Sequence, residues 1–245
     1  MIVTIYYHTA KKCILSAKTY FNWSSGKDSA LALYDLLLDN KYAIHRLITT
    51  VNAHYNRVTM HGLPVALLKQ QAEALGIPLQ IIYLPAQPSM IDYETIMFKT
   101  LTKLKAEQFT HSVFGDIFLE DLKQYREHNL NAIGISTVFP LWKKDTTLLI
   151  NRFIDLGFKA VVVCASAQYF SQDFVGKTIT KALINNLPKG VDVCGENGEF
   201  HTFCYDGPIF KWPVAFSLGK TIFREYNTPN KADKKSGFWF CDLMQ

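Results

Sequence analysis

From residue 18 onward, short β-prone runs alternate with helical runs, and this order is the strongest constraint on the fold. Residues 18–23 read as a strand, 29–39 as a helix with apolar Leu31, Leu33, Leu36 and Leu37, and 45–51 as a strand. Residues 65–75 read as a helix that stops at Gly76, two residues before Pro78, as a left-handed cap followed by proline predicts. The pattern continues through a strand at 79–84, a helix at 91–107, a strand at 112–114 and a helix at 119–131. A strand at 132–137, a helix at 145–156 ended by Gly157 and an apolar strand at 160–165 complete it. Strands separated by helical crossovers pair in parallel and are covered by helices on both faces. The expectation is a mostly parallel, doubly wound α/β sheet.

Beyond about residue 166 turn residues thicken, and runs at 200–205, 215–218, 222–225 and 238–242 look like strands, with a polar loop at 227–237. We therefore expect an extension at 1–17, a parallel-sheet domain at 18–165 and a smaller C-terminal α+β part at 166–245. Residues 1–7 are apolar, but Lys11 and Lys12 follow the apolar stretch, where a secretion signal has its basic residues first. An extra strand or an extension is the plainer reading. No apolar stretch approaches the roughly 20 residues of a membrane span. Five cysteines (Cys13, Cys164, Cys194, Cys204, Cys241) form no CxxC pair, which argues against a disulfide framework or zinc site and for a cytoplasmic location. The net charge of +5 comes from scattered lysines and arginines, so it suits an anionic small molecule better than nucleic acid.

Ser24-Ser25-Gly26-Lys27-Asp28-Ser29 falls between the first core strand and its helix. In open α/β sheets ligands bind at the carboxyl ends of strands, beside helix N-termini. Small residues let several backbone N–H groups converge on one anion, the helix dipole adds to the attraction, and Lys27 is expected as an exposed, mobile positive charge. A phosphate fits such a loop; so does a plain capped turn using Ser25 or Asp28. The segment is not a Walker loop, because Phe21 and Asp28 stand where that motif needs Gly and Ser or Thr. Gly176-Lys177-Thr178 and Gly219-Lys220-Thr221 fail the same test and read as turns.

A second segment, Cys194-Gly195-Glu196-Asn197-Gly198-Glu199-Phe200-His201-Thr202, brings carboxylates, an amide and an imidazole together between glycines. Tight turns would let these groups converge on an amine, a metal or a substrate needing a general base. The alternative is a turn entering a strand, with Glu199, His201 and Phe203 on one face.

The first segment resembles the pyrophosphate-binding PP-loop, Ser-Gly-Gly-x-Asp-Ser, of ATP pyrophosphatases with the adenine nucleotide α-hydrolase-like, HUP-type fold. Ser25 departs from it in place of Gly; a serine tolerates most backbone conformations except a sustained positive φ. Together the two segments resemble the diphthine–ammonia ligase family. The resemblance runs from Lys18 to Leu243 through Thr49-Thr50-Val51-Asn52, Arg57, Met60-His61-Gly62, Phe114-Gly115-Asp116-Ile117, Pro140-Leu141-Trp142, Asp145-Thr146 and Asp206-Gly207-Pro208. Members that act on diphthine have Glu-Gly-Gly-Glu-Phe-Glu-Thr in the second segment, whereas this chain carries Asn197 and His201. That variant resembles a bacterial subgroup for which a corrinoid-related amidation has been suggested.

The resemblance implies an ATP-dependent ligase that adenylates a carboxylate, releasing pyrophosphate, and amidates it with ammonia. It places ATP on Ser24, Ser25, Gly26, Lys27, Asp28 and Ser29, with Thr49, Thr50, Asn52, Gly115 and Asp116 completing the nucleotide site. Lys27, Asp28, Glu196, Glu199 and His201 are the expected catalytic residues. Asp28 and Asp116 are the expected Mg²⁺ ligands, carboxylates being what that ion prefers. Arg57, His61, Asn197 and Thr202 are expected at the substrate. The implied partners are a small-molecule or protein-borne carboxylate and ammonia, with no nucleic acid and no membrane; a homodimer is left open. The rival readings are a non-catalytic nucleotide-binding protein, a PP-loop RNA-modifying enzyme and, last, a free amidohydrolase, for which no Ser or Cys nucleophile has an evident base beside it.

Overall fold

The computed structural model describes residues 17–39, 41–59, 61–227 and 235–245. The expected N-terminal extension, up to residue 16, and most of the expected polar loop at 227–237 lie outside them. Ala17, assigned above to the extension, already belongs to the sheet, paired with Tyr42.

Strand β1 (Ala17–Asn22) is the centre of a parallel sheet. On one side it pairs with β2 (Tyr42–Asn52), which in turn pairs with β4 (Leu79–Leu84). On the other side it pairs with β5 (His111–Val113), which pairs with β6 (Ser136–Val138). All four pairings are parallel; the two-residue β3 (Arg57–Val58) adds an antiparallel bridge at the end of β2. Helices α1 (Lys27–Asp39), α2 (Val65–Leu75), α3 (Met90–Ala106) and α4 (Glu120–Asn131) are the crossovers, and α5 (Thr146–Asp155) leads out of this sheet. Helix α2 ends as expected: Gly76 adopts φ 69° and its N–H returns to the last turn.

Alternation along β1 divides the core. Phe21 enters a cluster with Leu33, Leu47 and Leu67, whereas Tyr20 points to the other face with Ile48, Ile82, Phe109 and Leu130. The first cluster runs on without a break through Phe153, Val162 and Phe203 of the C-terminal part.

A second, antiparallel sheet has the order β8-β7-β10-β9, formed by β7 (Lys159–Ser166), β8 (Phe200–Asp206), β9 (Ser217–Asn227) and β10 (Lys235–Met244). A short helix α6 (Lys181–Asn185) lies between β7 and β8. Three sequence expectations change here. The apolar strand at 160–165 belongs to this second sheet and not to the parallel one, so the sheets divide before residue 159 and not near 166. A strand buried on both faces reads the same in either kind of sheet. The two runs at 215–218 and 222–225 are one continuous edge strand, β9. Finally, β6 begins at Ser136 and not at 132, because Gly134, at φ 69°, and Ile135 return N–H bonds to Asn131 and Leu130 and close the end of α4.

Among the described residues no helix is long and apolar enough to cross a membrane.

Candidate functional site

The chain leaves β1 toward β2 and β4 and later returns to β1's other side with β5, so the strand order reverses between β1 and β5. Such switch points open a crevice at the carboxyl ends of the two strands. The loop of residues 24–29 follows β1 and Gly115-Asp116 follows β5. At Gly115 a Cβ would sit 3.1 Å from the Ser29 nitrogen, so only glycine lets this backbone approach the first turn of α1 without a shift.

Ser25 adopts φ 71°, the conformation that the missing glycine would supply. Neighbours hold it there: its carbonyl accepts from Cys204 N at 2.9 Å and from Gln71 Nε2 at 3.0 Å, and its hydroxyl binds the Ser24 carbonyl. The Ser24 and Ser29 hydroxyls meet at 2.8 Å, and the Gly26 N–H donates to Ser24 Oγ. A Cβ on Gly26 would lie 3.1 Å from His61 Cε1 and 3.2 Å from the Thr202 carbonyl oxygen. Strand β8 thus presses the loop from the C-terminal sheet, and the Lys27 N–H donates to Thr202 Oγ1.

Lys27 is not the exposed, mobile charge expected from the sequence. It is 2% exposed; its ammonium lies 2.8 Å from Asp28 Oδ2, donates to the Cys194 carbonyl and stands 5.2 Å from the centre of the Phe200 ring. Burial disfavours its charge, but Asp28 and further negative neighbours raise its pKa above the usual value, so it stays an ammonium.

The second segment is ordered by two carboxylates. Asp192 accepts from Cys194 N, Glu196 N and Thr146 Oγ1. Glu199, 2% exposed, accepts from Asp192 N, Asn197 N and Asn197 Nδ2. Glu199 precedes β8 and turns back into its own loop, so it does not share a working face with His201; Phe203 lies in the core. Glu196 reaches across to the other half, accepting from Ile117 N at 2.7 Å and, more weakly, from Phe118 N. Its carboxyl pKa is raised to about 7, by burial first and then by Asp28, with the Ile117 N–H and Lys27 pulling it back.

Two cavities meet here. One, of about 600 Å³, is lined by Ser24, Gly26, Lys27, Asp28 and Ser29 of the loop together with Asp116, Glu196, Asn197, His201 and Thr202. The other, of about 610 Å³, lies between the ends of β1, β2 and β4 and the inner sides of α3 and α4, with Thr49, Thr50 and Ile82 among its walls. His61 lines both. Its Nδ1 donates to the Thr202 carbonyl at 3.2 Å, and its ring lies 4.8 Å from that of His201, centroid to centroid. Burial is the largest cause that lowers the pKa of His61 to about 3 and of His201 to about 4, so both rings are neutral near pH 7.

The structure brings most of the expected residues to these cavities but not Ser25, which is fully buried beneath the loop, nor Asn52, Arg57 or Glu199. Asn52 binds the Ala86 carbonyl and caps the turn at His54 and Tyr55. Arg57 pairs with Asp242 of β10 at 2.7 Å and donates to the Gly62 carbonyl. Two residues had no motif to reveal them. Gln71, fully buried, accepts from Trp23 Nε1 and donates to the Ser25 and Cys204 carbonyls. The sole hint was an amide in the apolar face of α2. Arg126 of α4 is ion-paired with Asp116, lies 4.2 Å above the Phe114 ring and lines both cavities. Burial brings its pKa down to about 10, with Tyr93 and Glu196 opposing, which leaves it a cation at neutral pH. Among the described residues, no group of three or more His, Cys, Asp or Glu is arranged to hold a metal ion.

A family model described as the diphthamide synthase N-terminal domain matches residues 17–137, and one described as the diphthamide synthase C-terminal domain matches residues 145–231. A diphthine–ammonia ligase of Danio rerio is 26% identical over 166 residues, covering 62% of this chain and 65% of the relative. That of Mus musculus is 28% identical over 132 residues, covering 51% and 49%, and that of Homo sapiens 25% over the same length and shares. The chain therefore spans between about half and two thirds of the length of these relatives.

Proposed function

The chain belongs to the diphthamide synthase family, and on that premise we propose that it is an ATP-dependent carboxylate–ammonia ligase that releases AMP and pyrophosphate. One observation carries this reading: the PP-loop after β1 and the 194–202 segment before β8 wall one cavity, so a nucleotide's phosphates and an acceptor could meet there.

The nucleoside occupies the cavity beside Thr49 and Thr50, and the phosphates lie along the 24–29 loop and the N-terminus of α1, where backbone N–H groups and the helix dipole favour anions. Lys27 acts from beneath as a fixed buried charge that ties this loop to the acceptor segment through the Cys194 carbonyl. The acceptor carboxylate forms a bond to the α-phosphorus while the bond to the bridging oxygen breaks and pyrophosphate leaves. An unactivated carboxylate has no good leaving group; adenylation supplies one, and the protein's part is positioning and charge stabilisation. The nitrogen of ammonia then bonds to the acyl carbon, the bond to AMP breaks, and the amine proton passes to Glu196, whose pKa near 7 suits it to accept and release a proton at neutral pH.

Asp28 and Asp116 both line the phosphate cavity, each already beside a basic side chain. Two carboxylates facing phosphate oxygens are the donors that Mg²⁺ takes in nucleotide sites, so these residues fit an ion carried in with the phosphates better than a resident one. Such an ion would neutralise charge on the phosphoryl oxygens.

The acceptor segment differs from the diphthine-type box at Asn197 and His201. A carboxylate at position 201 would present a negative charge, whereas the neutral His201 ring presents none. We propose an acceptor without the cationic group that such a carboxylate would face.

The test is product analysis with Mg²⁺, ATP and ammonium over a panel of carboxylate-bearing metabolites and a diphthine-bearing protein. AMP and pyrophosphate, formed in step with one acceptor, are expected. ADP and phosphate would sink the reading.

A further inference from the structure

The polar residues that line both cavities are Asn22, Ser24, His61 and Arg126, and they mark the passage between the two. Three of them have their polar atoms engaged with protein groups. Asn22 Nδ2 donates to Ser112 Oγ and the Val113 carbonyl, Ser24 Oγ meets Ser29 Oγ, and the neutral His61 ring donates to the Thr202 carbonyl. Among the described residues Arg126 is the one arginine on either cavity wall. Its guanidinium is set by two contacts, the Phe114 face beneath it and Asp116 beside it. Five N–H donors in a planar fork allow it to keep Asp116 on one nitrogen and accept a second anion on another.

A nucleotide with its base in one cavity and its terminal phosphates on the 24–29 loop must thread this passage with its α-phosphate. We propose that Arg126 binds the α-phosphoryl group, both in ATP and in the adenylate formed from it, with Asp116 and Phe114 as its positioning residues. The inference rests on the ligase reading above and deepens it. During transfer the acceptor oxygen bonds to the α-phosphorus as the bond to pyrophosphate breaks. The guanidinium offsets charge on the non-bridging oxygens, and no proton moves at Arg126.

Adenosine, AMP and ATP, titrated separately by calorimetry, isolate that contact, since adenosine and AMP differ only by the α-phosphate. The wild-type chain should bind AMP roughly tenfold to a hundredfold more tightly than adenosine, the range of a charge-assisted hydrogen bond. In Arg126→Ala this preference should largely vanish while adenosine affinity stays, and Arg126→Lys should recover part of it. Leu130 is the buried residue of α4, so these changes spare the core; Arg126→Gln, which keeps a stem over Phe114, serves should the alanine variant melt early. An unchanged AMP preference in a folded Arg126→Ala or Arg126→Gln variant would overturn the role of Arg126 alone, as would a wild type that binds ATP but does not prefer AMP to adenosine. A wild type that binds none of the three would overturn the ligase reading and this inference with it.

Discussion

The imidazole rings of His61 and His201 lie 4.8 Å apart between centroids with their planes tilted by 31°, a half-buried pair that is uncharged at neutral pH. The unfolded chain binds protons on these rings below about pH 6.5, whereas the folded chain refuses them until about pH 4 and below. Stability therefore rises with pH through that window and is lost on acidification. Glu196 works in the opposite sense: folded, it holds a proton up to about pH 7 that the unfolded chain releases above about 4.5. Its contribution falls as pH rises between those values. Unfolding midpoints in urea between pH 5 and 7 should fall on acidification, less steeply in His201→Asn and more steeply in Glu196→Gln. Equal slopes in all three proteins would refute the assignment of these groups.

Lys27 and Asp28 form the pair on which the loop rests, 2.8 Å apart with the lysine side chain 3% and the aspartate 28% exposed. Removing the cation leaves a largely buried carboxylate without its partner, which costs about 3 kcal/mol, the lower end of the range because Asp28 keeps some water. Lys27→Met should lose that much stability by urea denaturation, and Lys27→Met with Asp28→Asn should regain most of it. A double variant no more stable than the single one would show that the ammonium matters through the Cys194 carbonyl instead.

The parallel half was legible because hydrophobic period and cap chemistry are local: Leu31, Leu33 and Leu36 on α1, and Gly76 after α2, announce their elements within a few residues. The position of the 24–29 loop, between β1 and α1, was legible for the same reason. What the sequence hides is set by distant partners. Lys27 looks exposed until β8 and the segment before it bring Thr202, Phe200 and the Cys194 carbonyl against it. Gln71 and Arg126 have no local signature, because their partners are Trp23, Ser25 and Cys204 in one case and Phe114 and Asp116 in the other. The place of β7 follows from its pairing with β8 and β10, strands that come later in the chain.

Ser25 holds a left-handed backbone that costs a residue with a side chain about 1 kcal/mol. Its hydroxyl recovers part of that by binding the Ser24 carbonyl. Ser25→Gly should therefore keep the loop and leave the melting temperature unchanged or a few degrees higher. Ser25→Val should lower it, since a β-branched side chain tolerates this conformation least and the site is fully buried. A valine variant as stable as the serine protein would mean that the positive φ is not needed.

Glu199 and His201 stand two residues apart in one motif, yet they do different work, and substitutions should separate them. Glu199 accepts three N–H groups from Asp192 and Asn197, so Glu199→Ala strands buried donors and should cost roughly 2–4 kcal/mol. Because that loop also supplies the Cys194 carbonyl to Lys27, nucleotide affinity should fall along with stability. His201 lines the cavity and faces His61. His201→Ala should thus leave stability and ATP affinity near normal and depress amide formation. His201→Glu puts back the carboxylate of the diphthine-type box and should raise activity toward a diphthine-bearing protein relative to the native acceptor. Amide formation at the wild-type rate in His201→Ala would remove this ring from the acceptor site. Efficient amidation of diphthine by the wild-type chain would show that position 201 does not select the acceptor, and diphthine would then be its substrate.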